Sequence, residues 1–428
     1  MKPASRIEAT IDILSKGHLA RVPLDSTVGD YMRVRRYIGA KDRSEIAERV
    51  YNVTRAHARL GWWQEKNSSE NTPRNRVIAW LVLGEGCGMK RLGDLFDGSQ
   101  YAPDELTEAE HALIAALEGK TLDEPEMSEA VRGECPLDFE VRLRELFGDR
   151  FLPEMQAMLQ PATLDLRVNL FLAEKEKVIK FLEADNVKTS ETPYSPWGLR
   201  CEGKAFLSRT KAFQKGWIEI QDEGSQLISY LCGAKPGMQV LDYCAGAGGK
   251  TLGLAAAMQR KGRIVAMDTD EKRLMKGRER YKKAQLADII EVRPLSDDRH
   301  RRWLKRQKGT FDIVLLDVPC SGTGTWRRNP DMRWRVYGPQ VEELTQIQAE
   351  ILEKASPCVK PGGTLVYATC SLLREENEAQ VAAFLERHPE FTVAALDESL
   401  GLGSPFMRLT PLRHGTDGFF AAVLRRGS

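Results

Sequence analysis

The sequence predicts an α/β protein whose main part is a doubly wound, mostly parallel sheet. Three observations support this prediction. Residues 1–134 have helical periodicity, residues 135–215 are mixed, and in residues 216–428 short apolar runs alternate with helical segments. Runs that are apolar along their whole length are typical of parallel strands that helices bury on both faces. We therefore expect an all-helical domain, a small α+β domain and an α/β domain, divided at these boundaries.

The N-terminal segment is predicted to be a bundle of about five helices, because apolar residues recur at helical spacing without strand-like alternation. In "LTEAEHALIAALEG", Thr107 and Glu110 form a capping-box pattern before an apolar run. In "DRSEIAERVYNVTRAHARLGWW", Ile46, Val50 and Val53 share one helix face. A structural scaffold and a binding module are both consistent with this pattern.

The middle segment combines helical and strand-like patterns. "CPLDFEVRLRELFGDRFLPEMQAML" (135–159) predicts one or two helices, and "TLDLRVNLF" (163–171) alternates like a strand. "SPWGLRCEG" (195–203) is rich in residues that favour turns. This combination predicts a small α+β domain.

The C-terminal segment contains the predicted strands of the main sheet. They are Gln239–Tyr243, Arg263–Asp268, Ile289–Pro294, Phe311–Asp317 and Thr364–Thr369. In a sheet of this kind, ligands bind beyond the carboxyl ends of the strands. Residues that follow these strands are therefore the candidates for a functional site.

Length and composition exclude some classes of protein. A chain of 428 residues exceeds one ordinary core, and 42% hydrophobic with 29% charged residues is normal for a globular protein. No apolar run approaches the ~20 residues of a membrane helix. The N-terminus lacks the apolar core and cleavage site of a signal peptide. We expect a cytoplasmic monomer that does not bind membranes.

The charge distribution is more informative than the net charge of +2. "RHRRWLKRQK" (299–308) and "TWRRNPDMRWR" (325–335) are dense in arginine and contain tryptophan. A basic run alone is most often a solvated surface. The second run, however, follows a cysteine motif closely, which favours contacts with phosphates or bases, through Arg327 and Arg328 among others.

The eight cysteines form no CxxC pair and no Cys/His cluster with zinc-ligand spacing. We therefore expect no metal site. In a cytoplasmic protein the cysteines should stay reduced, and most should be small buried hydrophobic residues.

A glycine-rich loop follows the first predicted strand. A strand, a glycine-rich turn and a helix together are typical of a nucleotide-type site, and "DYCAGAGGKT" (242–251) has this arrangement. The loop matches neither GxGxxG nor the spacing of a P-loop. Its candidate cofactor-binding residues are Cys244, Ala245, Gly246, Ala247, Gly248, Gly249 and Lys250.

Acidic residues follow the next strands at the same predicted edge. Asp268 ends the second strand and can accept the ribose hydroxyls of a cofactor. Asp297 or Asp298 follows the third strand, and Asp317 ends the fourth. The sulfonium and amino groups of S-adenosylmethionine are cations that such acids complement. Each acid alone could equally be a helix N-cap, and a nicotinamide cofactor is the alternative ligand.

Cys320 and Cys370 each follow a predicted strand, and each is followed by serine. Carbon 5 of a pyrimidine is a poor nucleophile, but addition of a thiolate at carbon 6 makes it enamine-like, so that it can accept a methyl group. Asp317 is the candidate for hydrogen bonding to the N3 edge of the ring. Core packing would explain one such cysteine, whereas two favour catalysis. The spacing does not decide which of them attacks.

Several motifs resemble those of the Sun/NOP family of RNA cytosine-5 methyltransferases, in particular its bacterial ribosomal RNA branch. They are "DYCAGAGGKT", "VAMDTDEKRL", "LLDVPCSGTGTWRRNPDMRW", "YATCSLLREENE" and "DGFF", with "LDLRVN" and "IQDEGSQ" before them. The resemblance covers roughly residues 136–426. The helical N-terminus is similar in kind to a NusB-like RNA-binding domain, most clearly in "EIAERVYNVTRAHARLGWW".

The resemblance implies a Rossmann-like class I methyltransferase fold and roles for individual residues. Cys370 would be the nucleophile, and Cys320 would assist proton removal or product release. Arg167 and Asn169 lie in a segment that resembles the family's RNA-recognition part. One departure is "CAGAGGK", where the family usually has "CAAPGGK". We expect cofactor binding to survive this change, because Cys244, Gly248, Gly249 and Lys250 are retained.

These observations predict an S-adenosylmethionine-dependent RNA cytosine-5 methyltransferase that acts on ribosomal RNA. Three alternatives remain: the same chemistry on transfer RNA, a DNA cytosine methyltransferase with Cys320 as nucleophile, and a non-catalytic RNA-binding assembly factor.

Overall fold

The protein is described by a computed structural model that covers residues 1–19, 22–203, 205–334, 338–396 and 398–428. The chain forms two compact units. The N-terminal unit comprises Met1–Gln160 and Trp326–Gly338, and the C-terminal unit comprises Pro161–Thr325 and Pro339–Ser428. Arg335, the last residue of the second basic run, lies outside the described residues.

The N-terminal unit is helical, and no strand occurs among its described residues. The described residues of 1–134 form eight α-helices rather than about five, and α6 and α8 are too short to show a periodic pattern. The predicted capping box is present: the Thr107 hydroxyl accepts from the Glu110 N–H at 3.2 Å, and Glu110 accepts from the Thr107 N–H at 2.9 Å. The helices of this unit are α1 (Pro3–Leu19), α2 (Leu24–Val34), α3 (Ala40–Arg55), α4 (His57–Lys66), α5 (Pro73–Leu83), α6 (Met89–Leu95), α7 (Glu108–Leu117), α8 (Glu129–Arg132), α9 (Leu137–Phe147) and α10 (Phe151–Ala157).

Residues 326–334, which follow the Cys320 motif in the chain, belong to the N-terminal unit. Trp326 is buried and packs edge-on against Phe139, and the guanidinium of Arg333 lies 5.0 Å from the Trp326 ring. Arg333 also donates to the carbonyls of Gly133, Glu134 and Met158 at 2.8–3.0 Å. These bonds satisfy a buried charge with backbone dipoles. The segment that follows Cys320 in the chain is therefore a structural part of the helical unit.

The C-terminal unit begins with a small antiparallel sheet. Its strands are β1 (Asp165–Val168), β2 (Thr189–Glu191), β3 (Gly198–Cys201) and β4 (Ile218–Ile220), in the order β2-β3-β1-β4, with helices α11 (Lys175–Ala184) and α12 (Lys211–Gln214) between them. The sheet matches the predicted α+β character, but helices α9 and α10 belong to the N-terminal unit. The predicted three-domain division at 134 and 215 stays a prediction.

The main sheet confirms the predicted fold class. Its strand order is β10-β12-β9-β8-β5-β6-β7, with β11 paired to β12, and the five strands from β9 to β7 are parallel. β9 begins five residues earlier than predicted. The elements are α13 (Glu223–Leu231), β5 (Gln239–Asp242), α14 (Gly249–Ala257), β6 (Arg263–Asp268), α15 (Glu271–Lys283), β7 (Ile290–Pro294), α16 (Asp298–Leu304), β8 (Phe311–Asp317), α17 (Val341–Ala355), β9 (Val359–Thr369), α18 (Glu378–Arg387), β10 (Phe391–Val393), β11 (Met407–Leu409), α19 (Pro411–His414) and β12 (Phe419–Arg426).

The core lies on both faces of this sheet, which explains the continuous apolar runs. Successive residues of β8 alternate between the two clusters: Ile313 and Leu315 pack on one face, and Val314 and Leu316 on the other. From β5 the chain proceeds through β6 to β7 on one side, and then returns to place β8 on the other side of β5. The carboxyl ends of β5 and β8 therefore form a topological switch point, where such sheets bind ligands.

Candidate active site

The glycine-rich loop joins β5 to α14 at the switch point. The Gly246 N–H donates to Asp268 Oδ2 at 2.7 Å, which ties the loop to the end of β6. The other carboxylate oxygen of Asp268 accepts from the Asp270 N–H at 2.8 Å. Gly246 and Gly248 have φ values of +53° and +80°, which residues with a side chain rarely adopt. This geometry presents backbone groups and an acid to a ligand, as a nucleoside cofactor needs.

Asp242, at the end of β5, is a site residue that the sequence analysis missed. Its Oδ2 accepts from the Thr251 hydroxyl at 2.7 Å, and its Oδ1 is buried without a hydrogen-bond partner in the described structure. Burial raises the pKa of Asp242 to about 7, despite the hydrogen bond from Thr251. A buried acceptor without a partner is costly, so Oδ1 fits a donor from a ligand. The sequence signal that could have identified Asp242 is an acidic residue at the end of the first predicted strand.

Lys250 and Asp317 form an ion pair at the same edge. Their Nζ and Oδ2 atoms are 2.7 Å apart, and the Asp317 side chain is 30% exposed. Asp317 at the end of β8 is thus held by the first turn of α14, and its second oxygen remains available to a ligand. Together with Asp242 and Asp268, it makes an acidic edge that suits the cationic end of S-adenosylmethionine.

Asp297 and Asp298 are placed differently from the other predicted acids. Asp297 caps α16 by accepting from the Arg299 N–H at 2.8 Å, and it pairs with the Arg299 guanidinium at 2.7 Å. These bonds lower the pKa of Asp297 to about 2. Asp298 is exposed and pairs with Arg301. Asp297 thus has the helix N-cap role that is the structural alternative to cofactor binding, and Asp298 lies in the first turn of the same helix. Cofactor binding by either acid stays a prediction.

The two predicted cysteines come together. Cys320 Sγ and Cys370 Sγ are 3.4 Å apart, at the carboxyl ends of the paired strands β8 and β9. The hydrogen bond with Cys370 is the largest cause that raises the pKa of the Cys320 thiol, followed by burial. Both thiols are half-buried. Two thiols within contact distance can act on one substrate ring.

Glu376 connects the backbone on either side of this thiol pair, and the sequence analysis missed it as well. Its fully buried carboxylate accepts from the Ser321 N–H at 2.8 Å, the Ser321 hydroxyl at 2.5 Å, the Gln348 amide at 3.0 Å and the Ser371 hydroxyl. Ser321 and Ser371 directly follow the two cysteines. The serines that follow the two cysteines in the sequence therefore donate hydrogen bonds to the same carboxylate.

We expect Glu376→Gln to shift the alkylation of Cys320 toward lower pH, because the negative charge of Glu376 contributes to the raised pKa of that thiol. The measurement is the rate of iodoacetamide labelling at Cys320 against pH, followed by mass spectrometry. Glu386→Gln, at an exposed position of α18, is the matched control and should leave the profile unchanged. An unshifted profile in Glu376→Gln would show that Glu376 does not act on the thiol through its charge.

The predicted RNA-binding residues have mostly internal contacts. Arg167 is 3% exposed and donates to the Gly249 carbonyl at 2.5 Å and to Gln221, and burial lowers its pKa to about 10. Asn169 is 5% exposed and donates to the carbonyls of Gly216 and Ala284. Arg167 thus connects the small sheet to the cofactor loop, and Asn169 connects it to the end of α15. Arg327 is buried and Arg328 exposed in the N-terminal unit. RNA contact by these four residues stays a prediction.

No group of three or more His, Cys, Asp or Glu side chains in the part of the chain that the structure describes could hold a metal ion. None of the described helices is long and apolar enough to cross a membrane.

Comparison with known proteins decides the family. Residues 230–425 match the family described as 16S rRNA methyltransferase RsmB/F. The ribosomal RNA small subunit methyltransferase B of Yersinia pseudotuberculosis is 30% identical over 414 residues, which cover 90% of this chain and 91% of the relative. The chain belongs to the RsmB/F family. The RsmB/F assignment confirms the resemblance and makes the protein an S-adenosylmethionine-dependent RNA methyltransferase. The nicotinamide alternative is therefore wrong.

Solved structures agree with the RsmB/F assignment. The crystal structure of PH0851 has a TM-score of 0.79 and 27% identity, and the match covers 100% of this chain and 99% of that one. A methyltransferase homologue from Pyrococcus horikoshii has a TM-score of 0.59 and 28% identity, over 71% of this chain and 100% of its own. NSun6 from the same organism, solved with SFG, shares the fold at a TM-score of 0.58 and 22% identity, over 68% of this chain and 98% of its own.

Proposed function

We propose that this RsmB/F protein methylates carbon 5 of a cytosine in small-subunit ribosomal RNA, through a covalent bond between Cys370 and carbon 6. The observation that carries the proposal is the thiol pair, with Sγ atoms 3.4 Å apart at the end of β8 and β9. Methylation of a ring nitrogen or a ribose hydroxyl does not need a thiol, whereas attack on carbon 6 does. Two thiols serve a reaction in which one covalent bond must form and later break.

The residues around the switch point would hold the cofactor, which supplies a methyl group on a cationic sulfur. We assign its binding to the loop from Cys244 to Lys250, to Asp268 for the ribose and to Asp317 near the positive charge. The Asp268 carboxylate lies at the end of β6, bonded to Gly246. The Lys250 ammonium limits the negative charge of Asp317 and fixes its position. Asp242 Oδ1, buried and unpartnered, adds an acceptor beneath the loop.

The side chains of the protein then account for the steps on the base. The thiolate of Cys370 forms a bond to carbon 6, and the electron pair of the carbon 5–carbon 6 double bond forms the bond from carbon 5 to the methyl group. Asp317 accepts a hydrogen bond from the amino group at the N3 edge of the ring. Cys320, in contact with the sulfur of Cys370, assists removal of the proton from carbon 5. Loss of that proton restores the ring double bond as the sulfur–carbon bond breaks, which frees Cys370. The assignment of attack to Cys370 rests on the family resemblance.

The target base must leave its stack before a thiol can reach its ring face. Single-stranded or looped RNA is therefore the expected form of the substrate. The relatives are named for small-subunit ribosomal RNA, which favours that molecule over transfer RNA and over DNA. A cytoplasmic protein is the corresponding expectation. An intact thiol pair on an acidic cofactor edge favours an enzyme over a non-catalytic assembly factor.

The test is methyl transfer from radiolabelled S-adenosylmethionine to 16S rRNA purified from cells that lack the protein. We expect incorporation into this RNA and little into RNA from wild-type cells, which is already modified. Bisulfite sequencing of the product should give one protected cytosine. Incorporation without a protected cytosine would contradict the carbon-5 chemistry, and incorporation only into transfer RNA would contradict the substrate. No incorporation would favour the assembly factor.

A further inference from the structure

The N-terminal unit contains a cavity of about 360 Å³, among α3, α4, α5, α8 and the end of α10. This volume falls within the range of about 300–1,000 Å³ that is usual for small-molecule pockets. Three arginines line it: Arg55, Arg59 and Arg132. The amides of Asn52, Gln156 and Gln160 add further polar groups to the lining. The cavity thus presents hydrogen-bond donors beside the apolar side chains of Trp80, Leu122 and Leu159.

Among the described residues, one arginine of the cavity is paired with acids, including Asp123 of the same lining, and two are not. Arg59 is compensated, since it pairs with Asp123 and with the buried Glu134, each at 2.9 Å. Among the residues that the structure describes, neither Arg55 nor Arg132 forms an ion pair, and the Nε atom of each is buried without a hydrogen-bond acceptor. Burial lowers the pKa of Arg55, which agrees with the absence of a neighbouring carboxylate. Two guanidinium groups therefore lack a counter-charge.

Two further arginines lie near Glu134 and add buried positive charge to this part of the N-terminal unit, although neither lines the cavity. Arg76 and Arg333 are both largely buried, and burial lowers the pKa of each to about 10. Arg333 bonds only to backbone carbonyls in the described structure, and these reduce but do not cancel its charge. Buried charges are normally paired or bind ions, because an uncompensated charge in a low dielectric is costly. The region is thus suited to an anion.

We propose that this cavity binds a phosphate group of the RNA backbone, through Arg55 and Arg132. The proposal rests on the proposed function in one respect, which is that the substrate is RNA. It does not depend on which base or which carbon is methylated. Arginine forks match the oxygens of a phosphate, and phosphate contacts fix the register of a nucleic acid without reading its sequence. Arg55 also donates to the carbonyl of Arg327 at 3.3 Å, in the segment that follows the Cys320 motif along the chain.

The test is the affinity of the full-length protein for an unmodified 16S rRNA transcript, measured by filter binding at several salt concentrations. On a single-stranded nucleic acid each phosphate contact contributes about 0.7 to the magnitude of the slope of log K against log salt. We expect Arg132→Gln and Arg55→Gln each to weaken binding several-fold and to reduce that magnitude by about 0.7. Because Arg55 supports a backbone carbonyl, Arg132→Gln is the decisive variant if Arg55→Gln lowers the melting temperature.

The matched control is Arg33→Gln, whose side chain is 75% exposed on α2 in the same unit and does not line the cavity. It should keep the affinity and slope of the unaltered protein. Equal slopes in Arg132→Gln and Arg33→Gln would overturn the proposal. The methyl-transfer rate should persist in Arg33→Gln. Loss of methyl transfer in the unaltered protein would instead contradict the proposed function.

Discussion

Cys370→Ala should abolish methyl transfer and the covalent RNA adduct, whereas Cys320→Ala should let that adduct accumulate. The reason is the division of roles between two thiols 3.4 Å apart. Removing a covalent nucleophile costs about 10⁴-fold or more in rate. Removing the group that assists release blocks the last step and leaves the sulfur–carbon bond intact. The measurement is denaturing gel electrophoresis of protein incubated with RNA and S-adenosylmethionine, beside the methyl-transfer rate.

Cys358→Ala is the control for this pair, since Cys358 is buried just before the start of β9, at the strand end away from Cys370. It should reduce stability slightly and keep methyl transfer without an accumulated adduct. If Cys320→Ala prevented the adduct and Cys370→Ala retained it, the roles would be exchanged, as in the DNA methyltransferase alternative. If neither variant changed the reaction, the covalent mechanism would be wrong.

Gly248→Ala should lower both the stability of the C-terminal unit and the affinity for S-adenosylmethionine. Gly248 has φ +80°, and a Cβ atom there would lie 2.2 Å from Tyr281 Oη. Tyr281 is 1% exposed on α15, so it cannot move aside without disturbing the core. The conformation and the overlap together should cost ~2–5 kcal/mol. Thermal unfolding and calorimetric titration with the cofactor measure the two effects, and we expect at least tenfold weaker binding.

Gly233→Ala separates the overlap from the backbone strain. Gly233 has φ +64° in the same unit, but a Cβ atom there would meet no heavy atom within 4 Å. This variant should therefore lose only the ~1–2 kcal/mol of the left-handed conformation and keep its cofactor affinity. An equal loss of affinity in both variants would mean that the close approach of the loop to Tyr281 does not position the cofactor.

Much of the α/β architecture was predictable because it depends on local patterns. Continuous apolar runs define strands buried on both faces, and four of the five predicted strands match β5 to β8 within one residue. The glycine-rich loop was recognisable since it follows a strand directly and begins a helix. The number of N-terminal helices was not predictable, because short helices such as α6 contain too few residues for a periodic signal.

The candidate site was predictable only in part. Asp268 and Asp317 could be placed at one sheet edge, since all parallel strands end on the same side. Asp297 has the same position in the sequence pattern, yet it caps a helix and pairs with Arg299. Arg167 has the composition of an RNA contact, yet it lies in the interior beside the cofactor loop. The contacts of Asp297 and Arg167 could not be predicted from the sequence, because each depends on which groups the packed structure brings next to the side chain.

The sequence by itself determined the kind of site: a cofactor loop, acids after successive strands, and two cysteines that each end a strand. Only the tertiary structure brought the two sulfurs to 3.4 Å, because β8 and β9 pair in the register Asp317 to Ala368. It also joined Ser321 and Ser371 through Glu376, and it placed residues 326–334 within the helical unit. Local patterns specify strands and turns, whereas contacts between distant residues depend on strand register and on the packing of the whole chain.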